Sequence, residues 1–163
     1  MIHMTKKKPW NRINLPVYSI STKGDEASNM NIITYASQIS MRPKRFICGI
    51  YEGTKTLDNA NSSKEFVLQL LAEKQYSLVN LLGKKSGHII NKVERLKKRN
   101  ELAEWRGFDI LKNCLAVIHL KVINEFDGGD HKGFLCDAVA YKNINEGKPL
   151  TLDTLRKHKI ISI

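Results

Sequence analysis

Two long segments, "CLAVIHLKVINEF" and "HKGFLCDAVAYKN", flank the tetrapeptide Asp127-Gly128-Gly129-Asp130. Adjacent glycines reach positive φ without steric cost, so this tetrapeptide is a strong turn. In the first segment Ala116, Ile118, Leu120 and Val122 alternate with Val117, His119 and Lys121. A period of two is the signature of a strand. The return segment places Phe134, Cys136, Ala138 and Ala140 on one face. A hairpin of this length commits the last third of the chain to antiparallel sheet.

The first third has the same character. Leu15–Lys23 alternates as a strand, and "GDEAS" supplies a turn. Asn29–Met41 is rich in β-branched residues and reads as one long strand, and Arg45–Tyr51 as a nearly continuous apolar one. Short turns between them predict an antiparallel meander. "EFVLQLL" is a further strand. Thr56 is expected to N-cap a short helix through Asn61. Leu78, Leu81 and Leu82 stand at helical spacing, with Gly83 or Gly87 as the stop. Ile89, Val93 and Leu96 fit a helix that "RGFDIL" does not continue, and Leu150, Leu152 and Leu155 belong to a short helix near the end. The sum is mainly β with short helices: about six strands, mostly antiparallel, in a closed or nearly closed barrel that hides its edges.

At 163 residues the chain is expected to be a single domain, with a core running from about residue 15 to 156. A chain of this size buries roughly 70% of its unfolded surface. The opening "MIHMTKKKPW" carries charge without an apolar run behind it and does not read as a secretory leader. No stretch approaches the roughly 20 apolar residues of a membrane span. Cys48, Cys114 and Cys136 are odd in number and widely spaced, as expected of buried thiols in a reducing cytoplasm. The net charge of +11 favours an anionic partner without choosing among nucleic acid, membrane surface and phosphorylated small molecule. Seven positive charges fall within Lys84–Arg99 against the single acid Glu94, a pattern that also suits a solvated helix face.

Familiar catalytic devices are missing. There is no GxGxxG, no GxxxxGK[ST], no HExxH and no GxSxG. His3, His88, His119, His131 and His158 are scattered without ligand spacing, so no metal site is expected. Any demanding chemistry then falls to a bound cofactor. Two clusters suit a phosphate. "GTKT" (Gly53–Thr56) precedes a helix start with two hydroxyls and Lys55, and "GKKSG" (Gly83–Gly87) is a flexible basic loop. Either also serves as an ordinary cap or solvated loop. The small polar residues Asn29, Asn31, Thr34, Ser37, Gln38 and Ser40 recur irregularly along Asn29–Met41, which a purely core-filling strand would not do.

The ordered set "NMNIITYASQISMRPKRFICGI", "GTKTLDN", "SSKEFVLQLLAE", "LVNLLGKKSGHIINK", "LAVIHLKV", "GGDHKGFLCDAV" and "GKPLTLDTLR" resembles the flavin reductase-like family of FMN-binding split β-barrels, flavoredoxins included. The resemblance runs from about Leu15 to Arg156 and implies a Greek-key-like antiparallel barrel. It implies that Asn31, Thr34, Tyr35, Ala36, Ser37 and Gln38 border the flavin ring, with Ser40 at its edge. Thr54, Lys55 and Thr56 match the segment that binds the phosphate tail, and Lys92 a lysine that approaches phosphate or ring. His131 matches a histidine near flavin and nicotinamide.

The implied activity is hydride transfer from NADH or NADPH to non-covalently bound FMN and on to an acceptor, in a homodimer. An acidic redox partner is a further implied use of the basic surface. An FMN-carrying electron-transfer protein without reductase activity is the alternative. A nucleic-acid-binding barrel fits less well, since the Lys84–Arg99 cluster holds no aromatic residue for stacking.

Overall fold

A computed structural model describes residues 5–163; the first four, with His3 and the start of the segment weighed as a leader, lie outside it. β1 (Tyr18–Thr22) pairs antiparallel with β2 (Asn29–Ile33), Tyr18 opposite Ile33. The chain then does not continue as one strand. Thr34 and Tyr35 interrupt it, and β3 (Ala36–Ser40) pairs with β4 (Arg45–Tyr51) instead. The Gly49 amide captures the Tyr35 carbonyl at 2.7 Å and fixes the switch. The long strand and the meander expected from the sequence are both corrected by this break.

With β5 (Glu65–Leu70), β8 (Ala116–Asp127) and β9 (His131–Asn143), these strands form one seven-stranded sheet in the order β2-β1-β5-β8-β9-β4-β3. Every pairing is antiparallel. β2 and β3 occupy opposite edges of that sheet, yet only Thr34 and Tyr35 separate them in the chain. Three peptide units span at most about 11 Å. The sheet must therefore curl until its edges face each other across that link. Among the described residues the edges do not pair, so the barrel is nearly closed but split, as the resemblance implies.

Inside the curl lie Ile20, Ile33, Phe46, Phe66, Leu68, Leu120 and Phe134. Burying such side chains stabilises by roughly 1.5–3 kcal/mol each. The outer face is covered too. α2 (Leu78–Leu82), α3 (Lys92–Lys98) and α4 (Leu152–Lys157) bring Leu82, Val93, Leu96 and Leu155 against Val17, Met30 and Val67. β5 is therefore buried on both faces, which is why "EFVLQLL" reads as a continuous apolar run.

α1 (Lys55–Ser63) starts two residues earlier than expected. Thr54, not Thr56, is its N-cap and accepts from the Leu57 amide at 3.2 Å. Thr56 lies inside the first turn, buried. α2 stops at Gly83, as the sequence indicates, and Asn91 caps α3 through the Glu94 amide. β6 (Leu102–Trp105) and β7 (Phe108–Leu111) form a separate hairpin that the sequence reading did not separate from the preceding helix. Its turn, Arg106-Gly107, has φ of 52° and 78°, the primed geometry that two-residue hairpins favour.

Cys48, Cys114 and Cys136 are buried free thiols. Burial pushes Cys114 and Cys136 up to about 12 and Cys48 higher still, so none is a nucleophile near neutral pH. Among the described residues, no helix is long and apolar enough to cross a membrane.

Candidate functional site

The two facing edges define the site. An edge strand leaves a row of backbone N–H and C=O groups without a strand partner. β2 and β3 present two such rows around the Thr34-Tyr35 link. Three clefts follow that line without interruption. The first, about 640 Å³, is walled by Thr34, Tyr35, Ala36, Ser37 and Gln38 on one side and by Phe126, Asp130 and His131 on the other. It shares Thr34, Tyr35, Gly49 and His131 with a second cleft of about 240 Å³, which continues past Tyr51 and Thr56 to Asn31. Asn31 leads into a third, about 230 Å³, formed by Thr54, Lys55 and the loop Gly83–Gly87.

The third cleft is cationic. Among the described residues Lys55, Lys84 and Lys85 line it and no acid does, although the exposed Glu26 carboxylate comes within 3.7 Å of Lys55 Nζ. Gly53, at φ 77°, turns the chain from β4 so that the first amides of α1 border the opening. Helix N-termini carry partial positive charge and free donors, which suits an anion. Gly87 closes the cleft at a distance only glycine permits. A Cβ there would lie 2.5 Å from Asn29 Oδ1 and 3.0 Å from Lys55 Cβ. Asn29 is held in turn, since its Nδ2 donates to Thr56 Oγ1 at 2.9 Å.

The first cleft is aromatic. His131 opens β9 opposite Tyr51, and its ring meets Tyr35 and Tyr51 edge-on at 4.8 and 5.0 Å. Asp130 Oδ1 lies 2.6 Å from His131 Nδ1, fixing one ring nitrogen and leaving Nε2 for a ligand. Gly49 has no room for a side chain of ordinary freedom, because its Cβ would stand 3.3 Å from Tyr35 Cβ and 3.7 Å from His131 Cβ. Phe126 lies over its cross-strand neighbour Gly133, where any side chain would strike its ring.

Of the residues singled out from the sequence, Asn31, Thr34, Tyr35, Ala36, Ser37, Gln38, Thr54, Lys55, Thr56 and His131 all line these clefts. Ser40 and Lys92 do not. Ser40 follows an irregularity in β3 and faces Arg45. Lys92 is 1% exposed and donates from Nζ to the Leu82 carbonyl at 2.7 Å, beneath the Gly83–Gly87 loop. Burial lowers its pKa to about 8. Sequence reasoning missed Tyr51 and Gly49. A lone glycine in an apolar strand is a sign of close approach that was available for Gly49. Tyr51 carries no local sign, since its meeting with His131 depends on the β4–β9 register.

Known proteins share this architecture. The FMN-binding protein of Thermus thermophilus superposes with a TM-score of 0.73 at 20% identity, covering 88% of this chain and 80% of that one. Flavoredoxin from Methanosarcina acetivorans gives 0.73 at 14% identity, with coverage of 91% and 80%. Flavin reductase PheA2 gives 0.71 at 24% identity, with 87% of each chain covered. No curated protein sequence matches. The model of the flavin reductase like domain matches residues 10–160, which spans the whole sheet and every wall of the three clefts. The chain belongs to the flavin reductase-like family.

Proposed function

We propose that the three clefts hold FMN non-covalently, ring in the first two and phosphate in the third, and that the protein is a flavin-dependent oxidoreductase using NADH or NADPH. The observation that carries this reading is the cleft of three lysines beside the N-terminus of α1, continuous with an aromatic cleft beside two unpaired strand edges. Among the described residues the one carboxylate in reach of those lysines is the exposed Glu26, 3.7 Å from Lys55 Nζ. The residues fit the group. Those backbone amides and carbonyls of Thr34–Gln38 that point away from β4 would meet the donors and acceptors of a flavin ring, the Tyr35 carbonyl being taken by Gly49. Thr54, Lys55, Lys85, Ser86 and the Gly87 backbone match a phosphate monoester, and Asn31 lies between the two ends.

Bound FMN supplies the hydride-accepting and electron-donating chemistry. The chain positions it and sets its electrostatics. Lysines around the third cleft offset the phosphate charge. His131, oriented by Asp130 and flanked by Tyr35 and Tyr51, places a polar edge and aromatic surface where a nicotinamide would lie. Tyr35, 59% exposed, leaves that face open to solvent. Such openness also suits the second reading, an FMN-carrying electron-transfer protein whose basic surface meets an acidic redox partner.

The reading extends to a single-domain homodimer in a reducing, cytoplasmic setting. Ile39 and Met41, exposed on and just beyond the β3 edge, support a second copy beside the ring cleft. Anaerobic addition of NADH, then NADPH, to the FMN-loaded protein tests the oxidoreductase reading. Loss of the visible flavin absorbance with either nucleotide supports it and names the donor. An unchanged spectrum with both leaves the electron carrier.

A further inference from the structure

A fourth cavity, about 410 Å³, belongs to none of the clefts assigned to FMN, although Tyr18 and Gln38 wall both it and the ring cleft. Its floor is apolar: Phe46, Leu70, Val117, Ile118 and Ala138. Its volume lies in the range of small-molecule sites, roughly 300–1,000 Å³, which are typically apolar with a few polar groups fixing orientation. The polar groups stand at its rim, and among the described residues Lys44 is the one charged group there and no acid lines the cavity.

Lys44 is also uncompensated. Its Nζ donates to the neutral Gln38 Oε1 at 2.6 Å and has no carboxylate within ion-pair distance among the described residues. The neighbouring acid Asp137 is taken by Arg45 at 2.8 Å. An ammonium with spare donors above an apolar floor is complementary to a molecule with one negative charge and a flat hydrocarbon body. The cavity lacks what a phosphate ester needs. It has one cation against the three lysines of the phosphate cleft, and it does not border the start of α1.

We propose that this groove binds an apolar organic monoanion of the aromatic-carboxylate class, next to the flavin ring and separate from it. Binding does not require flavin. Occupancy touches the ring cleft through the shared walls Tyr18 and Gln38, so such a molecule is placed to act as an effector beside the cofactor.

The test is calorimetric titration of the full chain with 2-naphthoate and with its neutral isostere 2-naphthamide, each with and without saturating FMN. The expected result is one site per chain, present in both conditions, with about tenfold preference for the acid. Lys44→Gln, a surface change, removes that preference. Ala138→Phe fills the floor and abolishes binding of both probes while FMN uptake persists; Ala116→Leu, a smaller filling, serves if Ala138→Phe does not fold. Equal affinity for acid and amide, or a preference that survives Lys44→Gln, overturns the proposal. Displacement of naphthoate by FMN overturns it too, by placing the probe in the ring cleft. So does absence of binding in a dimer that Lys44→Glu dissociates, since a second copy then covers the groove.

Discussion

Asn29 and Thr56, far apart in the chain, join through a buried hydrogen bond of 2.9 Å from amide Nδ2 to hydroxyl Oγ1. This contact fastens the edge strand β2 to the first turn of α1, and the Asn29 Oδ1 on its other side limits how near the Gly83–Gly87 loop can come. The phosphate cleft thus depends on one small side-chain network. Asn29→Ala removes the amide donor to Thr56 Oγ1 and opens space beside Gly87. Chemical denaturation should show a loss of about 1–3 kcal/mol.

Gly87→Ala should separate phosphate binding from ring binding. The added Cβ cannot sit 2.5 Å from Asn29 Oδ1, so the loop must move away from Lys55. FMN affinity is expected to fall about tenfold or more, a loss of at least roughly 1.4 kcal/mol. Riboflavin, with no phosphate, should bind both proteins alike. Parallel fluorescence titrations with the two flavins read the difference directly.

Much of this was legible beforehand, and the reasons differ by element. The β8–β9 hairpin announced itself through alternation and two glycines, both local properties. The polar residues of Asn29–Gln38 stood out because they violate a core strand's pattern, and they line the clefts. The break at Thr34-Tyr35 was not legible. It follows from Gly49 capturing the Tyr35 carbonyl, a contact between strands that no local pattern encodes. The β6–β7 hairpin was hidden because Leu102–Trp105 follows a helix without an apolar gap, although Arg106-Gly107 carried a turn signal. Lys92 looked like a solvated charge or a ligand contact and is neither exposed nor in a cleft.

Lys92 should give stability an alkaline signature. Its folded pKa is about 8, lowered by burial, against an ordinary value of 10.5. Between those values the unfolded chain binds the extra proton, so unfolding becomes harder as pH rises from about 8 to about 10.5. The gain relative to Lys92→Met is expected to be about 3 kcal/mol. Urea melts of both proteins at pH 7.5 and 10.5 check it; parallel pH dependences would show that the ammonium is not the source.

His119 should give an acid signature of the opposite limb. It is buried under the β6–β7 hairpin, where Arg106 Nε donates to Nδ1 at 3.0 Å and Nε2 meets Glu65 Oε2 at 2.8 Å. Nδ1 is an acceptor, so the neutral ring carries its proton on Nε2. Burial lowers the pKa, with Arg106 and Lys121 adding to it and Glu65 opposing. The folded value lies below the unfolded one, so the stability is present above about 6.5 and is lost as pH falls through the folded value. His119→Gln should flatten that acid limb. Hydrogen exchange should show β6–β7 amides losing protection first in the wild type.

Thr54→Ala tests the helix start without touching the lysines. Loss of the cap to the Leu57 amide should cost about 1 kcal/mol of stability. FMN binding should weaken as the first turn frays, while riboflavin binding changes little. An equal loss for both flavins would instead mean that α1 supports the ring cleft.

The most direct test of the central claim is one titration of the purified, flavin-stripped protein with FMN and, separately, with riboflavin, followed by quenching of flavin fluorescence. FMN bound at one site per chain, about tenfold or more tighter than riboflavin, is the predicted result. Failure to bind FMN, or equal affinity for the two, would contradict the assignment of the lysine-lined cleft as the phosphate site.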